Sequence, residues 1–259
     1  MAILSFDKYQ GTGNDFIMID NREHVFPAHK DSLITSLCHR RFGIGADGLI
    51  LIEKHQAYDF EMIYYNPDGT QSLCGNGSRC AVMFSHSLGI IQKSAKFYSI
   101  EGPLFAEIRD ERVYLKMPDV KGVAHHGDDL FINTGSPHYV RFVSDTDKMD
   151  VYHTGREIRY SQDFHPAGTN VNFVQKIGKE SIYVRTYERG VEDETLSCGT
   201  GVTASALAMG LKEGNDHVYI KTRGGELEVT FKSDGSGNFM DIYLIGPAMK
   251  VFSGQVEIS

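Results

Sequence analysis

The pattern of apolar and polar residues along the chain predicts mainly β-strands. Short runs rich in β-branched and aromatic side chains, bounded by turn-forming residues, are typical of strands. Such runs lie at residues 48–52, 60–65, 171–175, 181–187, 217–221, 226–232 and 239–245, with a turn predicted over 233–238. The chain is therefore expected to consist largely of sheet.

Two segments break this pattern and predict helices. Residues 78–88 carry Ala81, Phe84, Ser85 and Leu88 at helical spacing. Residues 202–211 are so rich in alanine and other small side chains that a helix buried on every side is predicted. Each segment follows a glycine loop, CGNG (74–77) or CGTG (198–201), so a cysteine is expected at the entrance of each helix.

The chain also contains a weak internal repeat at about half its length. Gly13 and Gly135, Gly45 and Gly168, Tyr65 and Tyr187, and Cys74 and Cys198 match in the same order, at separations of 122, 123, 122 and 124 residues. Repeats of this kind indicate duplicated structural units. The predicted fold class is α+β, with two pseudo-symmetric domains, each a mostly antiparallel sheet or barrel around a buried central helix.

The domains are expected at residues 1–121 and 122–247, joined by an exposed connection over 121–129. The last strand, within 248–259, is a candidate to complete the N-terminal domain. Two related domains usually close around one cleft, so the active site is expected between them.

Composition and charge narrow the class of protein. The 259 residues are 41% hydrophobic, as in a globular protein. A net charge of −8, without a basic run, argues against partners such as nucleic acid or an anionic membrane surface. No apolar stretch approaches the ~20 residues that span a bilayer, and the first residues lack the features of a secretory signal. The expected location is the cytoplasm.

The two glycine-loop cysteines are the strongest candidates for chemistry. The first turn of a helix presents unpaired N–H groups and the positive end of the helix dipole, which favour a thiolate. The neighbouring glycines let a ligand approach, and the loop N–H groups can hold a carboxylate. Two facing thiols suit the inversion of a stereocentre, because one removes a proton from carbon while the other delivers a proton to the opposite face.

Other uses of these cysteines fit less well. A zinc site needs clustered ligands, and no close cysteine pair such as C-x-x-C occurs. A thiol hydrolase would pair one cysteine with a histidine such as His138 and leave the second cysteine without a role. Cys38 and Cys80 have no counterpart in the repeat and are expected to be packing residues.

At these residues the sequence closely resembles the diaminopimelate epimerases along nearly its whole length. The resemblance rests on the motifs GTGNDF (11–16), GIGADG (43–48), NPDGTQSLCGNGSRC (66–80), TGSPH (134–138), TNVNF (169–173) and YERGVEDETLSCGTG (187–201). It implies a cofactor-independent isomerase, needing neither metal nor pyridoxal phosphate, that interconverts LL- and meso-2,6-diaminopimelate in lysine and peptidoglycan precursor biosynthesis. It also implies a homodimer.

The resemblance assigns roles to particular residues. Cys74 and Cys198 would be the acid–base pair, assisted by His138 and Glu188. Substrate ammonium and carboxylate groups would be held by side chains and by loop N–H groups. The side chains are Asn14, Asn66, Asn170, Glu188 and Arg189, and the loop residues are Gly75, Asn76, Gly199 and Thr200.

Some positions depart from the family pattern. Ser136 stands where asparagine is frequent, the stretch before Cys74 is one residue shorter than usual, and the stretch from Glu188 to Cys198 is one residue longer. These departures affect the placement of loop contacts and leave both cysteines and their helix entrances intact.

Two alternatives stay open at this point. One is a related isomerase or racemase with another substrate, and the other is a non-catalytic amino-acid-binding protein.

Overall fold

We describe residues 2–27 and 31–258 of a computed structural model. The described residues form four α-helices: α1 (Asp31–Cys38), α2 (Gly75–Ser87), α3 (Val151–Arg159) and α4 (Gly199–Glu213). They also form the following strands, in chain order: β1 (Ala2–Gly11), β2 (Asn14–Asp20), β3 (Gly48–Glu53), β4 (Phe60–Tyr65), β5 (Ser94–Ser99), β6 (Gly102–Arg109), β7 (Arg112–Lys116), β8 (Ala124–His126), β9 (Asp129–Asn133), β10 (Pro137–Phe142), β11 (Asn170–Lys176), β12 (Ser181–Glu188), β13 (Asp193–Thr195), β14 (His217–Thr222), β15 (Gly225–Ser233), β16 (Phe239–Gly246) and β17 (Met249–Ile258).

The chain divides into two units, residues 1–115 with 247–259, and residues 116–246. In the first unit the strands pair in the order β17-β1-β2-β3-β4-β5-β6-β7. The pairs β2–β3 and β4–β5 are parallel, and the other five are antiparallel. The last strand of the chain therefore belongs to the N-terminal unit.

The second unit repeats this topology. Its strands pair in the order β8-β9-β10-β11-β12-β14-β15-β16, and β13 adds to β12 as a short antiparallel strand. The parallel pairs, β10–β11 and β12–β14, occupy the same places in the order as β2–β3 and β4–β5 do in the first unit. The faint sequence repeat thus corresponds to a duplicated order and direction of strands.

The parallel pairs explain where the helices lie. Parallel neighbours cannot be joined by a tight turn and need a crossover, which is usually a helix. In the first unit α1 lies between β2 and β3 in the chain, and α2 lies between β4 and β5. In the second unit α3 and α4 take the equivalent places. Strands with helices on both faces are buried on both faces, and β3 is accordingly an almost continuous apolar run.

Helices α2 and α4 are the predicted central helices. Both are buried along most of their length, and each packs against several strands of its own unit. They begin three residues before the predicted segments, at Gly75 and Gly199. Glycine has low helix propensity, so apolar periodicity does not reveal a first turn built around it.

Helices α1 and α3 were not predicted, and α3 shows why. It has only nine residues and contains Gly155 at its centre. A Cβ atom at Gly155 would lie 2.4 Å from the Cβ of Tyr187, so the glycine is needed for the helix to pack on β12. Its low propensity hides a helix that tertiary packing requires.

The unit boundary lies between residues 115 and 116, a few residues before the expected position after residue 121. The amide of Met117 donates to the carbonyl of Ile242, and that of Val120 donates to the carbonyl of Phe239. These hydrogen bonds tie the intervening segment to β16, and therefore to the second unit. Within residues 2–27 and 31–258, no helix is long and apolar enough to cross a membrane.

Candidate active site

Cys74 and Cys198 occupy the N-cap positions of α2 and α4. Both have the extended backbone of an N-cap residue, with φ/ψ of −129°/117° and −117°/114°. The Sγ of Cys74 accepts a hydrogen bond from the Gly77 amide at 3.4 Å. A sulfur at this position faces the N–H groups and positive dipole end of the helix, which stabilise negative charge.

In the first unit, the side chain of Asn14 lies against Cys74. The Asn14 Nδ2 donates to a carboxylate oxygen of Asp47 at 2.7 Å. The Oδ1 of Asn14 is therefore the atom that faces Cys74. That oxygen is 3.5 Å from the Sγ of Cys74 and 3.3 Å from the Nδ2 of Asn76. The thiol of Cys74 can therefore donate to a carbonyl oxygen whose orientation Asp47 determines.

Asp47 belongs to a larger ionic network. Arg40 donates to both Asp15 and Asp47, each at 2.6 Å, and Lys8 forms an ion pair with Asp15 at 2.7 Å. Burial opposes ionisation of Asp15, but the hydrogen bonds from Arg40 and Lys8 outweigh it and lower its pKa to about 2. The network keeps the GIGADG loop and the strand end that carries Asn14 in a defined geometry.

Asn66, expected to contact substrate, lies in the turn that precedes Cys74. Its Nδ2 lies 3.0 Å from the Thr70 hydroxyl and 3.2 Å from the Ser72 hydroxyl, and its backbone N–H donates to the Thr70 carbonyl. These contacts close the turn that leads towards Cys74. Asn66 thus organises this loop.

In the second unit, hydroxyl groups connect Cys198 to His138. The Sγ of Cys198 is 3.5 Å from the Oγ1 of Thr200. That hydroxyl is 2.9 Å from the Nε2 of His138 and 3.0 Å from the Ser136 hydroxyl, which itself lies 2.9 Å from His138. Ser136, one of the departures from the family pattern, thus takes part directly in this cluster.

The partners of His138 determine its tautomer. The Nδ2 of Asn172 lies 3.1 Å from the Tyr139 carbonyl, which can only accept, so this atom is the donating amide nitrogen. The same nitrogen lies 3.1 Å from the Nδ1 of His138, which must therefore be unprotonated. Burial, reinforced by the positive charge of Arg189, lowers the pKa of His138 to about 3. His138 is neutral and carries its proton on Nε2, where it donates to the hydroxyl cluster.

Gly201, the second glycine of the CGTG loop, is needed for this arrangement. A Cβ atom there would lie 2.4 Å from the Oδ1 of Asn172 and 3.3 Å from the Cε1 of His138. The absence of a side chain lets both polar residues lie against the first turn of α4. This close approach explains why glycine stands at the position.

Asn170 begins β11. Glu188 ends the antiparallel neighbour β12, and Arg189 follows it. Asn170 donates to the Pro137 carbonyl at 2.9 Å and accepts from the backbone N–H of Arg189 at 2.8 Å, so it joins the His138 strand to the Arg189 turn. The carboxylate of Glu188 accepts from the Thr195 hydroxyl at 2.9 Å. The Arg189 guanidinium donates to the Ala167 carbonyl at 3.3 Å.

Sequence reasoning did not single out Asn172, Asp47 or Glu192. The carboxylate of Glu192 accepts from the Gly190 amide at 3.0 Å, from Arg159 and from the hydroxyls of two tyrosines, and so anchors the lengthened loop after Arg189. Asn172 could have been found, since it stands two residues after Asn170 on one strand and therefore faces the same side. No local pattern distinguishes Asp47 or Glu192 from surface acids.

The other two cysteines, Cys38 and Cys80, are buried. Burial raises the pKa of Cys38 to about 12, and it raises that of Cys80 strongly despite the neighbouring Arg79. Both thiols are therefore protonated at neutral pH and act as small packing side chains. In the described part of the chain, no three His, Cys, Asp or Glu side chains are grouped so that they could hold a metal ion.

Comparison with known proteins identifies relatives along the whole chain. The family model described as diaminopimelate epimerase matches residues 6–121 and 130–251. The diaminopimelate epimerase of Flavobacterium psychrophilum is 51% identical over 249 residues, covering 95% of this chain and 97% of that protein. That of Aquifex aeolicus is 40% identical over 277 residues, covering 98% of each. These matches confirm the resemblance carried by the motifs.

Solved structures show the same fold at much lower identity. A PhzF-family phenazine biosynthesis protein from Bacillus anthracis matches with a TM-score of 0.76 at 13% identity, over 100% of both chains. A hydroxyproline epimerase from Agrobacterium vitis matches with a TM-score of 0.70 at 14% identity, over 98% of this chain and 92% of that one. Together with the repeated units, these likenesses confirm the expected fold class.

The depressed pKa of His138 predicts a pH-dependent stability. Below about pH 6.5 the unfolded chain binds a proton at this residue that the folded protein does not, so the free energy of unfolding falls as the pH decreases towards about 3. The contribution is at most about 1.4 kcal/mol per pH unit. Urea unfolding of the wild type and of His138→Gln, each at about pH 5 and pH 7, measures it. Equal pH dependence in the two proteins would contradict the buried, neutral imidazole.

Proposed function

Since this chain belongs to the diaminopimelate epimerase family, we propose that it interconverts LL- and meso-2,6-diaminopimelate with Cys74 and Cys198 as the acid–base pair. The observation that carries the proposal is the equivalent placement of the two sulfurs, each at the N-cap of the buried central helix of its unit. The reaction serves lysine and peptidoglycan precursor biosynthesis.

The two cysteines act on one substrate carbon in turn. The thiolate of one takes the α-hydrogen as a proton, and the electron pair of the broken C–H bond stays on the carbon. The thiol of the other then donates its proton to the opposite face, and a new C–H bond forms with inverted configuration. The two sulfurs have then exchanged protonation states, so the same pair catalyses the reverse direction.

The helix N-termini support the charge that develops during this step. When the α-proton leaves, negative charge spreads into the substrate carboxylate. Backbone N–H groups at Gly75 and Asn76, and at Gly199 and Thr200, are the first amides of α2 and α4. Donors already oriented before the reaction stabilise such charge without reorganisation.

His138 assists Cys198 as a hydrogen-bond donor in this proposal. Its Nδ1 accepts from Asn172, so its Nε2 proton points into the hydroxyls of Ser136 and Thr200. Polarised by this proton, the Thr200 hydroxyl can donate to the Cys198 sulfur and stabilise its thiolate. A neutral imidazole with this tautomer is not the base that deprotonates Cys198.

The asparagine and charged side chains recognise the substrate heads. The Oδ1 of Asn14 faces the Cys74 sulfur and can accept from an ammonium group, whereas its Nδ2 is held by Asp47. Glu188 supplies a carboxylate for an ammonium group, and Arg189 supplies donors for a carboxylate. Asn66 and Asn170 contribute by holding the loop before Cys74 and the turn that carries Arg189.

The two alternatives left open by the sequence can be tested against this proposal in one experiment. A non-catalytic binding protein would not exchange the substrate α-hydrogen with deuterated water. A related racemase would exchange the α-hydrogen of another amino acid. Chiral analysis and deuterium incorporation, measured for LL-diaminopimelate and for other amino acids incubated with the purified protein in deuterated water, separate all three cases.

We further propose a homodimer that works in the cytoplasm. The edge strand β17 exposes Met249, Val251 and Phe252 by 58%, 57% and 47%, and an apolar edge strand is typically covered in a soluble protein. A second copy of this chain is the proposed cover. A cytoplasmic location suits the mechanism, because reducing conditions keep both thiols available.

The acid–base assignment predicts that Cys74→Ala and Cys198→Ala each lower kcat at least about 1000-fold, since inversion needs a proton carrier on both faces. The matched control is Cys38→Ala, which removes a buried thiol of the first unit outside the proposed site. We expect it to keep its turnover per folded molecule. Either site variant retaining a tenth of wild-type kcat or more would overturn the two-thiol assignment.

The substrate-binding assignment predicts that Glu188→Gln and Arg189→Met each lower kcat/KM more than about tenfold, over 1.4 kcal/mol. Each substitution would remove a contact between a charged side chain and a charged substrate in a site shielded from bulk water. The matched control is Glu23→Gln, because Glu23 forms an exposed ion pair with Lys54. Melting temperatures verify folding. Values within about threefold of wild type for both site variants would assign them to the protein surface.

The dimer proposal predicts that Val251→Lys lowers the mass measured by sedimentation from that of a dimer to that of a monomer. A charge introduced at the apolar edge strand would have to be buried without a partner. Met240→Lys is the matched control, since Met240 is an exposed methionine of the second unit. A monomeric wild type, or a dimer that survives Val251→Lys, would contradict this interface.

A further inference from the structure

Arg79 is buried completely, and its surroundings do not explain why a cation is there. It is the largest fully buried side chain among the described residues. Its Nη2 donates to the Thr12 hydroxyl at 3.2 Å, and its Nε donates to the Pro247 carbonyl at 3.4 Å. Its Nη1 has no hydrogen-bond partner within residues 2–27 and 31–258. Burying a charge on neutral partners is expensive, so a cation retained under these conditions calls for a reason.

Within residues 2–27 and 31–258, no carboxylate is hydrogen-bonded or ion-paired to Arg79. Burial lowers the pKa of its guanidinium to about 10, which still leaves it charged at neutral pH. The groups that oppose this shift are the sulfurs of Cys80 and Cys74. Electrostatic interaction is mutual, so a cation that a thiolate stabilises also stabilises that thiolate.

The guanidinium of Arg79 lies beside the first turn of α2, although its Cα is about 140° around the helix axis from that of Cys74. Arg79 lies five residues after the N-cap, which is about 7.5 Å along the helix axis. Long side chains in helices point back towards the N-terminus, and the Arg79 guanidinium accordingly reaches residues 11 and 12, just before Asn14. A Cβ atom at Gly11 would contact both the Arg79 Nη2 and the Cys80 Sγ, each at 3.4 Å.

Of the two sulfurs, Cys74 is the one that can use this charge. Cys80 is fully buried, and burial raises its pKa so strongly that it stays protonated. Cys74 is partly exposed and accepts a hydrogen bond from the Gly77 amide. A hydrogen bond from its thiol to the Asn14 Oδ1 favours the protonated form. A fixed positive charge behind the first turn shifts this balance towards the anion.

The second unit lacks the equivalent cation. Thr203 stands five residues after Cys198, where Arg79 stands after Cys74, and its hydroxyl donates to the Gly199 carbonyl at 2.8 Å within the helix. Cys198 instead has the hydroxyl and imidazole donors of Thr200 and His138. The two units therefore support their sulfurs by different means.

We propose that Arg79 is a positioning residue for the reaction, whose buried and incompletely hydrogen-bonded guanidinium favours the thiolate form of Cys74. This inference rests on the proposed function for its consequence in catalysis. The charge acts through the sulfur and does not touch the substrate. Its effect is confined to the first unit.

The direct test is the pH dependence of alkylation of each cysteine. Wild type, Arg79→Met and Arg79→Lys are treated with iodoacetamide between about pH 6 and 10, and labelled peptides are quantified by mass spectrometry. In Arg79→Met the midpoint for Cys74 should rise by about one pH unit or more, while that for Cys198 stays unchanged. Arg79→Lys, which keeps the charge, should lie between wild type and Arg79→Met. The control Lys54→Met removes one positive charge from an exposed side chain of the same unit and should shift neither midpoint.

Stability and kinetics distinguish this role from a structural one. An apolar side chain in place of a buried, unpaired cation is often neutral or stabilising, so the melting temperature of Arg79→Met should equal or exceed that of wild type. The acid limb of its kcat/KM profile should move to higher pH with the Cys74 midpoint. A lower melting temperature with an unchanged Cys74 midpoint would overturn the proposal. Should Arg79→Met fail to fold, a Cys74 midpoint in Arg79→Lys that lies below the wild-type value would overturn it instead.

The alkylation readout separates this inference from the proposed function. If Cys74→Ala keeps its turnover, the acid–base assignment fails, yet the Cys74 midpoint still reports the effect of Arg79. If Cys74→Ala is inactive and the midpoint does not respond to Arg79→Met, only the inference about Arg79 fails.

Discussion

The start of each central helix is the constraint on which the rest of the structure depends. A helix leaves its first N–H groups without carbonyl partners, and in a buried helix those groups cannot all turn to water. In α2 and α4 the chain places a cysteine before these groups and glycines among them. The end of the helix can then face a ligand, and the positive end of its dipole acts on a sulfur that can ionise.

The strands around each helix supply the polar side chains that this arrangement needs. Asn14 begins β2 and Asp47 directly precedes its parallel neighbour β3 in the first unit. His138 and Asn172 lie on neighbouring parallel strands in the second. Asp47 determines which atom of Asn14 faces the Cys74 sulfur. In the same way, Asn172 determines which nitrogen of His138 donates to the hydroxyls beside Cys198. Such buried polar contacts are retained only when their partners are well oriented, because an unsatisfied group in the interior is unfavourable.

Duplication preserved the order of strands and the place of the cysteine, while the means of supporting the sulfur diverged. Near Cys74 the first unit uses an oriented amide oxygen and a buried guanidinium. Near Cys198 the second unit uses hydroxyls polarised by a neutral imidazole. A two-base reaction needs one sulfur to start as base and the other as acid, so the two sites do not need identical surroundings.

The sequence by itself determined the repeated halves, seven of the strands, the two central helices and the cysteines at their entrances. These features are local: apolar periodicity, turn residues and motif letters carry them, and the family motifs extend them to a chemistry. Tertiary structure decided what depends on contacts between distant residues. The helix around Gly155 can pack against Tyr187 only because glycine has no Cβ. The tautomer of His138 follows from Asn172, which is 34 residues away in sequence. Likewise, the sequence shows that Arg79 belongs to a cysteine motif, but it does not show that the guanidinium is buried with no carboxylate beside it. Burial and hydrogen-bond partners are properties of the folded chain.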